Sequence, residues 1–510
     1  MSLQQYRSQK YQRKAHQIKK HLKCYDELDI LNACADYIYA PIKEEIDHLQ
    51  RQPWVVLLVL KWSFLDRSKE EIYRKDYLDS KKFYDVINRT YKLSNLIKMP
   101  HEYSHHLLFL RNIAYQQFIY QRPFSASMYG RQVNWFGNLP QNHTLRRRFK
   151  EIYGIECEDF LSLSLALITK FFDRSNHTID LNWFSPIFPT FEPSYIERFL
   201  DSLSVDIVYI SRELKEVNLS TGGYEEYYEQ SPFARFPLIK HENKYTCIHP
   251  CILYRRLEYF IYDALKEDNP SKMMEYFSGL FESYLSKGLD YANLTYVTEK
   301  ILKSNLPNHV KCVDYVVYDD YANIFIDAKA VEMPYLGKIT GNPEIILNKV
   351  KSTAIKAVEQ ANRLNEYLFE IRSEKLPQFK KSNYLLVVTC KELYLGSGAS
   401  LYDSIGKRKL DELYQTIPNE ALIDPKHIYF ISVDQFDFLM SIIKERNLSL
   451  KSLLDQVISE DANPSTRKFD FSQHIYSLDK QAIIPKYLEE EINSKFEYLK
   501  SFTINSISTG

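Results

Sequence analysis

Long stretches of the chain repeat apolar positions at helical spacing, and a shorter part alternates them. Periods near 3.6 run through 26–48, 55–74 and 156–173, and they predict that residues 1–235 are mostly helical. The run Trp54-Val55-Val56-Leu57-Leu58-Val59-Leu60 continues through Lys61 to Leu65. It is too short to span a bilayer and predicts a buried helix. Loops are expected near 122–144 and 174–194, where Pro, Asn, Ser and Gly collect, with a boundary near Gly222-Gly223. Residues 236–266 predict a small strand pair leading into a helix. Residues 271–289 carry Met274, Phe277, Phe281, Tyr284 and Leu285 at helical spacing. Within that helix Gly279 is placed for close approach of another backbone, and Gly288 suits a helix end.

The pattern then changes period. Residues 312–318 and 323–330 are β-branched and aromatic runs, and Asp319-Asp320-Tyr321-Ala322 between them reads as a four-residue hairpin loop. Closing that loop pairs 318 with 323 and sets Asp314 opposite Asp327. Side chains alternate along a strand, so Lys329 shares their face. The other face carries Val313, Tyr315, Val317, Ile324, Ile326, Ala328 and Ala330, and its burial fixes the register. After the hairpin the pattern predicts a long helix over 344–370, a strand at 384–389 apolar enough to be parallel, a short helix at 409–416 and a strand at 427–433 with a helix starting at 434. A strand is also expected at about 294–302, before the hairpin.

Like charges directly opposite on a sheet repel. Two aspartates and a lysine so placed are better explained if a cation binds between the acids. Mg²⁺ (or Mn²⁺) is the natural candidate, because it keeps several waters and needs only one or two carboxylates. Lys329 would orient a metal-bound water or stabilise charge developing on a phosphate. The plain alternative is a solvated ion pair on a wet hairpin face.

The order helix, strand, hairpin, helix, strand, helix, strand resembles the core of the PD-(D/E)xK nuclease superfamily, the restriction-endonuclease-like fold. Asp314 matches the first acid of that motif, and Asp327-Ala328-Lys329 matches its second half. Glu282, in Gly279-Leu280-Phe281-Glu282-Ser283-Tyr284, matches the glutamate often found on the first core helix, with Glu275 as its competitor. Gln360 matches a glutamine on the helix after the lysine strand. Val313 stands where the naming proline would be, and Leu364 where an aromatic would follow the glutamine. The resemblance implies an α+β chain: a mostly helical N-terminal region, then an α/β core with a mixed central sheet flanked by helices. It implies that Asp314, Asp327, the Ala328 carbonyl and Glu282 hold the metal. Lys329 and Gln360 would complete the catalytic set. It further implies a metal-dependent endonuclease that cuts DNA in a restriction or anti-phage role.

The expected organisation is a helical domain at 1–235, a connecting segment at 236–270, a nuclease-like domain at 271–445 and a helical tail at 446–510. At 510 residues, several cores are expected. Basic and acidic residues balance at 66 each, so bulk charge gives no sign of a nucleic-acid binder, and local patches must carry any such role. Two basic clusters qualify: residues 1–25, with seven Lys or Arg and no acid, and Arg146-Arg147-Arg148 with Lys150. Each reads equally as a solvated helix face. The seven scattered cysteines and the lack of an apolar signal core predict a reducing cytoplasm and no membrane span. Cys247-Ile248-His249-Pro250-Cys251 has no second ligand pair at zinc spacing. No G-x-x-x-x-G-K-[ST] or G-x-S-x-G occurs, which argues against nucleotide hydrolysis and acyl transfer of those kinds. Cutting both strands calls for two sites, which favours a dimer, and a nuclease calls for restraint by the helical region or a partner protein. The competing reading is a non-catalytic scaffold that binds nucleic acid or a partner.

Overall fold

A computed structural model of the chain describes residues 3–41, 44, 49, 51–65, 76–121, 127–172, 174–217, 223–371, 373–478 and 484–508. Residues 42–43, 45–48 and 66–74 of the periodic stretches, 122–126 of a predicted loop and Gly222 of the predicted boundary lie outside the described residues. The chain is α+β and forms two compact units, one of 1–102, 113–268 and 491–510, the other of 103–112 and 269–490. Among the described residues no helix is long and apolar enough to cross a membrane.

The first unit is largely helical, as the periodicity predicts. Helix Pro53–Leu65 is buried on nearly every side. Its Lys61, 2% exposed, pairs with Glu226 at 2.9 Å and Glu229 at 3.0 Å. Trp62 Nε1 donates to Glu226 Oε1 at 3.0 Å. The predicted strand pair forms as β3 (Leu238–His241) and β4 (Lys244–Cys247), and helix Pro250–Asp268 follows. It recruits β1 (Thr178–Asp180) beside β4 and β2 (Ser204–Asp206) beside β3. These partners come from the region read as helix and loop, because three-residue strands are too short to show alternation. Segment 236–268 therefore shares the first unit and its sheet.

The second unit is built on a five-stranded sheet ordered β5 (Tyr296–Thr298), β6 (Tyr315–Tyr318), β7 (Ala322–Lys329), β8 (Ser382–Thr389) and β9 (Ile428–Ser432). β5, β6 and β7 run antiparallel, while β7, β8 and β9 are parallel. The predicted register forms: Tyr318 pairs with Asn323 and Tyr315 with Ile326. The turn is tighter than a four-residue loop. Asp319 N–H donates to Ala322 O, and the Asp319 carboxylate accepts from the Tyr321 and Ala322 amides. The strand expected at 294–302 is only β5, and helix Glu299–Asn305 follows it. Glu299 N donates to Asp314 O, drawing the chain into the helix next to the hairpin.

Two helices cover β7. Tyr315, on the Ile326 face, donates its hydroxyl to Glu282 O of helix Pro270–Tyr291 at 2.7 Å. On the opposite face Lys329 reaches the helical stretch between β7 and β8. That stretch is not one regular helix but Pro343–Val350, a π turn Lys351–Ile355 and Lys356–Glu370. The π turn's extra residue rotates the downstream face by about 100°. Close approach within helix Pro270–Tyr291 occurs at Gly288, where an added Cβ would lie 2.6 Å from Phe436. Gly279, expected to serve that purpose, has open space, and Gly288 lies inside the helix rather than at its end.

Candidate active site at the end of the hairpin

The site begins where β6 and β7 part. Their pairing stops at Tyr315 and Ile326, one residue short of the acids. There the Ala328 amide donates to Asp314 Oδ2 at 2.5 Å, so a side chain takes over from the ladder and fixes the carboxyl. Asp327 is 1% exposed because β7 is a central strand covered on both faces. Asp327 is thereby removed from any wet face, while Asp314 and Lys329 keep partial exposure. The Asp314 carboxyl lies within hydrogen-bonding reach of Asp327.

Lys329 Nζ sits 2.6 Å from Asp327 Oδ2, but no donor makes an aligned hydrogen bond to that buried oxygen. The same ammonium lies 3.5 Å from Gln360 Oε1, and Gln360 Nε2 donates to Cys312 O at 2.8 Å. Gln360 thus ties the lysine to the strand segment leading into Asp314. Burial pushes the Asp314 carboxyl up to about 8, with the Asp327 charge adding to the rise and the Ala328 amide opposing it. Burial likewise raises Asp327, against the pull of Lys329. Burial outweighs the pull of Lys329 and Lys356, so both carboxyls stand above the usual aspartate range.

Glu282 is half-buried on helix Pro270–Tyr291, and burial with the nearby Glu299 charge raises its carboxyl. It feels Lys329 and Asp327, but it does not join the aspartates: among the described residues no three His, Cys, Asp or Glu side chains are gathered to hold a metal. Glu275 is exposed. Two residues absent from the sequence reading act here. Lys356 lowers the Asp327 pKa, and it stands one helical turn before Gln360, a spacing that would have revealed it. Glu299 pairs with Lys303 at 2.7 Å and was hidden by the strand expected over it.

The residues present suit a Mg²⁺-sized ion through two carboxylates. Asp314, half-buried, and Asp327, buried, form an acidic pair, and one of the Asp327 oxygens lacks an aligned donor. Cys247 and Cys251 are both buried, and burial raises their thiols to about 12 and about 11. Most of the Arg146 cluster is engaged within the protein, while Arg147 is exposed. Arg146 is buried against the Gly137 and Leu139 carbonyls, Arg148 grips Asp268 at 2.6 Å and Lys150 meets Glu156 at 2.5 Å. No protein family, curated protein or solved structure matches this chain.

Proposed function

We propose that the second unit is a metal-dependent endonuclease of the restriction-endonuclease-like kind, hydrolysing DNA phosphodiester bonds in a restriction or anti-phage role. One observation carries this reading: two aspartates, Asp327 buried and Asp314 half-buried, opposed across a hairpin end, with Lys329 against one of them and Gln360 against Lys329. Asp314 and Asp327 would hold Mg²⁺ or Mn²⁺, aided by the Ala328 carbonyl, and Glu282 would act from further out. When bound, the ion supplies Lewis-acid stabilisation of phosphate charge and an acidified water.

The chain's own groups do the rest. The Ala328 amide aims Asp314, and Gln360 holds Lys329 while its other end grips the Cys312 carbonyl. The Lys329 ammonium orients the attacking water and offsets charge growing on the phosphate oxygens. Burial of Asp327 keeps bulk water from weakening these interactions.

The test is cleavage of supercoiled plasmid and linear phage DNA by the full chain and Lys329→Ala, with Mg²⁺, Mn²⁺ or EDTA. Metal-dependent nicking that falls at least about 100-fold in the variant is expected, the scale of losing one preorganised charge partner. Nicking that survives in EDTA, or at full rate in the variant, removes the proposal. If neither protein cuts, a melting shift with Mg²⁺ separates an enzyme lacking its activator from a scaffold. Saturation at 100 times the dissociation constant adds about 2.7 kcal/mol.

A further inference from the structure

We infer that the outer face of helix Leu3–Leu22 is a docking surface for the phosphate backbone of DNA. The surface deepens the nuclease reading by naming where the first unit would hold the substrate.

Charge patterning isolates this helix. At the chain's average frequency about three acidic residues would fall in the first 25 positions, but none does, while seven basic residues do. The structure sorts those cations. The helix buries Tyr11, Ala15, Ile18 and Leu22 against helices Pro53–Leu65 and Ser80–Tyr91 and the turn Lys92–Leu96. Arg7 is committed to Glu102, Lys10 lies over the Tyr6 ring and Lys19 over Trp62. Arg13, Lys14 and Lys20 are exposed and meet no carboxylate among the described residues. Between them the outer face carries Gln9, Gln12, His16 and Gln17, all exposed, with Tyr6 at 47% exposure.

This composition fits a phosphate backbone. Three long cations offer charge, and neutral amides offer hydrogen bonds without repelling the ligand. The other basic cluster provides a partial contrast: Arg146 is buried against carbonyls, Arg148 pairs with Asp268 and Lys150 with Glu156, which leaves only Arg147 exposed without a carboxylate partner among the described residues. A solvated face selected only for solubility would mix both signs, as the rest of this charge-balanced chain does.

The experiment measures binding without cleavage. Fluorescence anisotropy of a labelled 30-mer, duplex or single-stranded, is titrated in EDTA over a range of salt. It compares the full chain, Arg13→Gln/Lys14→Gln/Lys20→Gln and Lys329→Ala. Each lost phosphate contact flattens the log–log salt slope by about 0.9 on duplex and about 0.7 on a single strand. The triple variant should therefore lose about 2.7 or about 2.1 of slope, which also identifies the strand form. For duplex, proteins that bind equally at 1 M salt would differ about 500-fold at 0.1 M. Unchanged melting of the triple variant, whose residues are all exposed, confirms that folding is not at issue. Equal slopes overturn the inference. So does a wild-type chain that ignores DNA, including one that instead binds vesicles rich in phosphatidylserine. Lys329→Ala separates the two readings. If it binds like wild type, neither protein cuts with Mg²⁺ or Mn²⁺ and Mg²⁺ shifts the melting of neither, the nuclease reading fails while the docking surface stands. If cutting depends on Lys329 while the triple variant keeps the wild-type slope, the reverse holds.

Discussion

Asp314→Asn should stabilise the metal-free second unit, and more so as pH rises. The folded carboxyl is pushed up to about 8 by burial and by Asp327, whereas an unfolded aspartate titrates near 3.9. From pH 5 to 8 the unfolded chain has therefore lost a proton that the folded chain retains. Folding stability must fall by about 1.4 kcal/mol per unit over that window, close to 4 kcal/mol in all. Asparagine keeps an oxygen for the Ala328 amide and an NH₂ for Asp327, so it preserves the geometry without the titration. All four tryptophans lie in the first unit, so fluorescence does not report here. Hydrogen exchange of peptides from β7 and β8 does, and the intrinsic pH effect on exchange cancels between wild type and variant. The two proteins should be alike at pH 5 and diverge by about 4 kcal/mol at pH 8, the variant being the more stable. Saturating Mg²⁺ should narrow the gap by stabilising wild type alone. Parallel pH profiles, or a variant less stable at pH 8, would refute the claim that this carboxyl is strained for binding.

Other substitutions test the surrounding structure. Lys61→Ala leaves Glu226 and Glu229 buried without their cation and should cost about 3–5 kcal/mol, read from tryptophan fluorescence in urea; a loss below 1 kcal/mol would show that water reaches the cluster. Gly288→Ala forces a Cβ against Phe436 and should destabilise the second unit by about 1–3 kcal/mol, whereas Gly279→Ala should stabilise its helix by up to about 1 kcal/mol. Hydrogen exchange in helix Pro270–Tyr291 measures both, and equal effects would contradict the packing. Tyr315→Phe removes the hydroxyl bonded to Glu282 O and should cost about 1 kcal/mol in the same assay.

How much of this was legible depends on how many residues each feature repeats over. The hairpin register was readable because β-branched and aromatic residues run through 312–318 and 323–330 on either side of a short turn, and a one-residue slip would exchange every face. Sheet strands β1 and β2 have three residues each, and no pattern can be read from three. β5 failed for another reason: Glu299 opens a helix right after it, so a single apolar stretch holds two structures. The opposed acids were visible, but their burial was not, because it comes from β8 and two helices distant in sequence. That burial decides the chemistry. On a wet hairpin Asp327 and Lys329 would form a screened ion pair of little consequence. Under β8 and two helices, burial raises both carboxyls against the pull of Lys329 and Lys356, and the proposed cation would relieve them. The motif proposes the site, and the covering elements, which no local pattern encodes, give it a reason to bind.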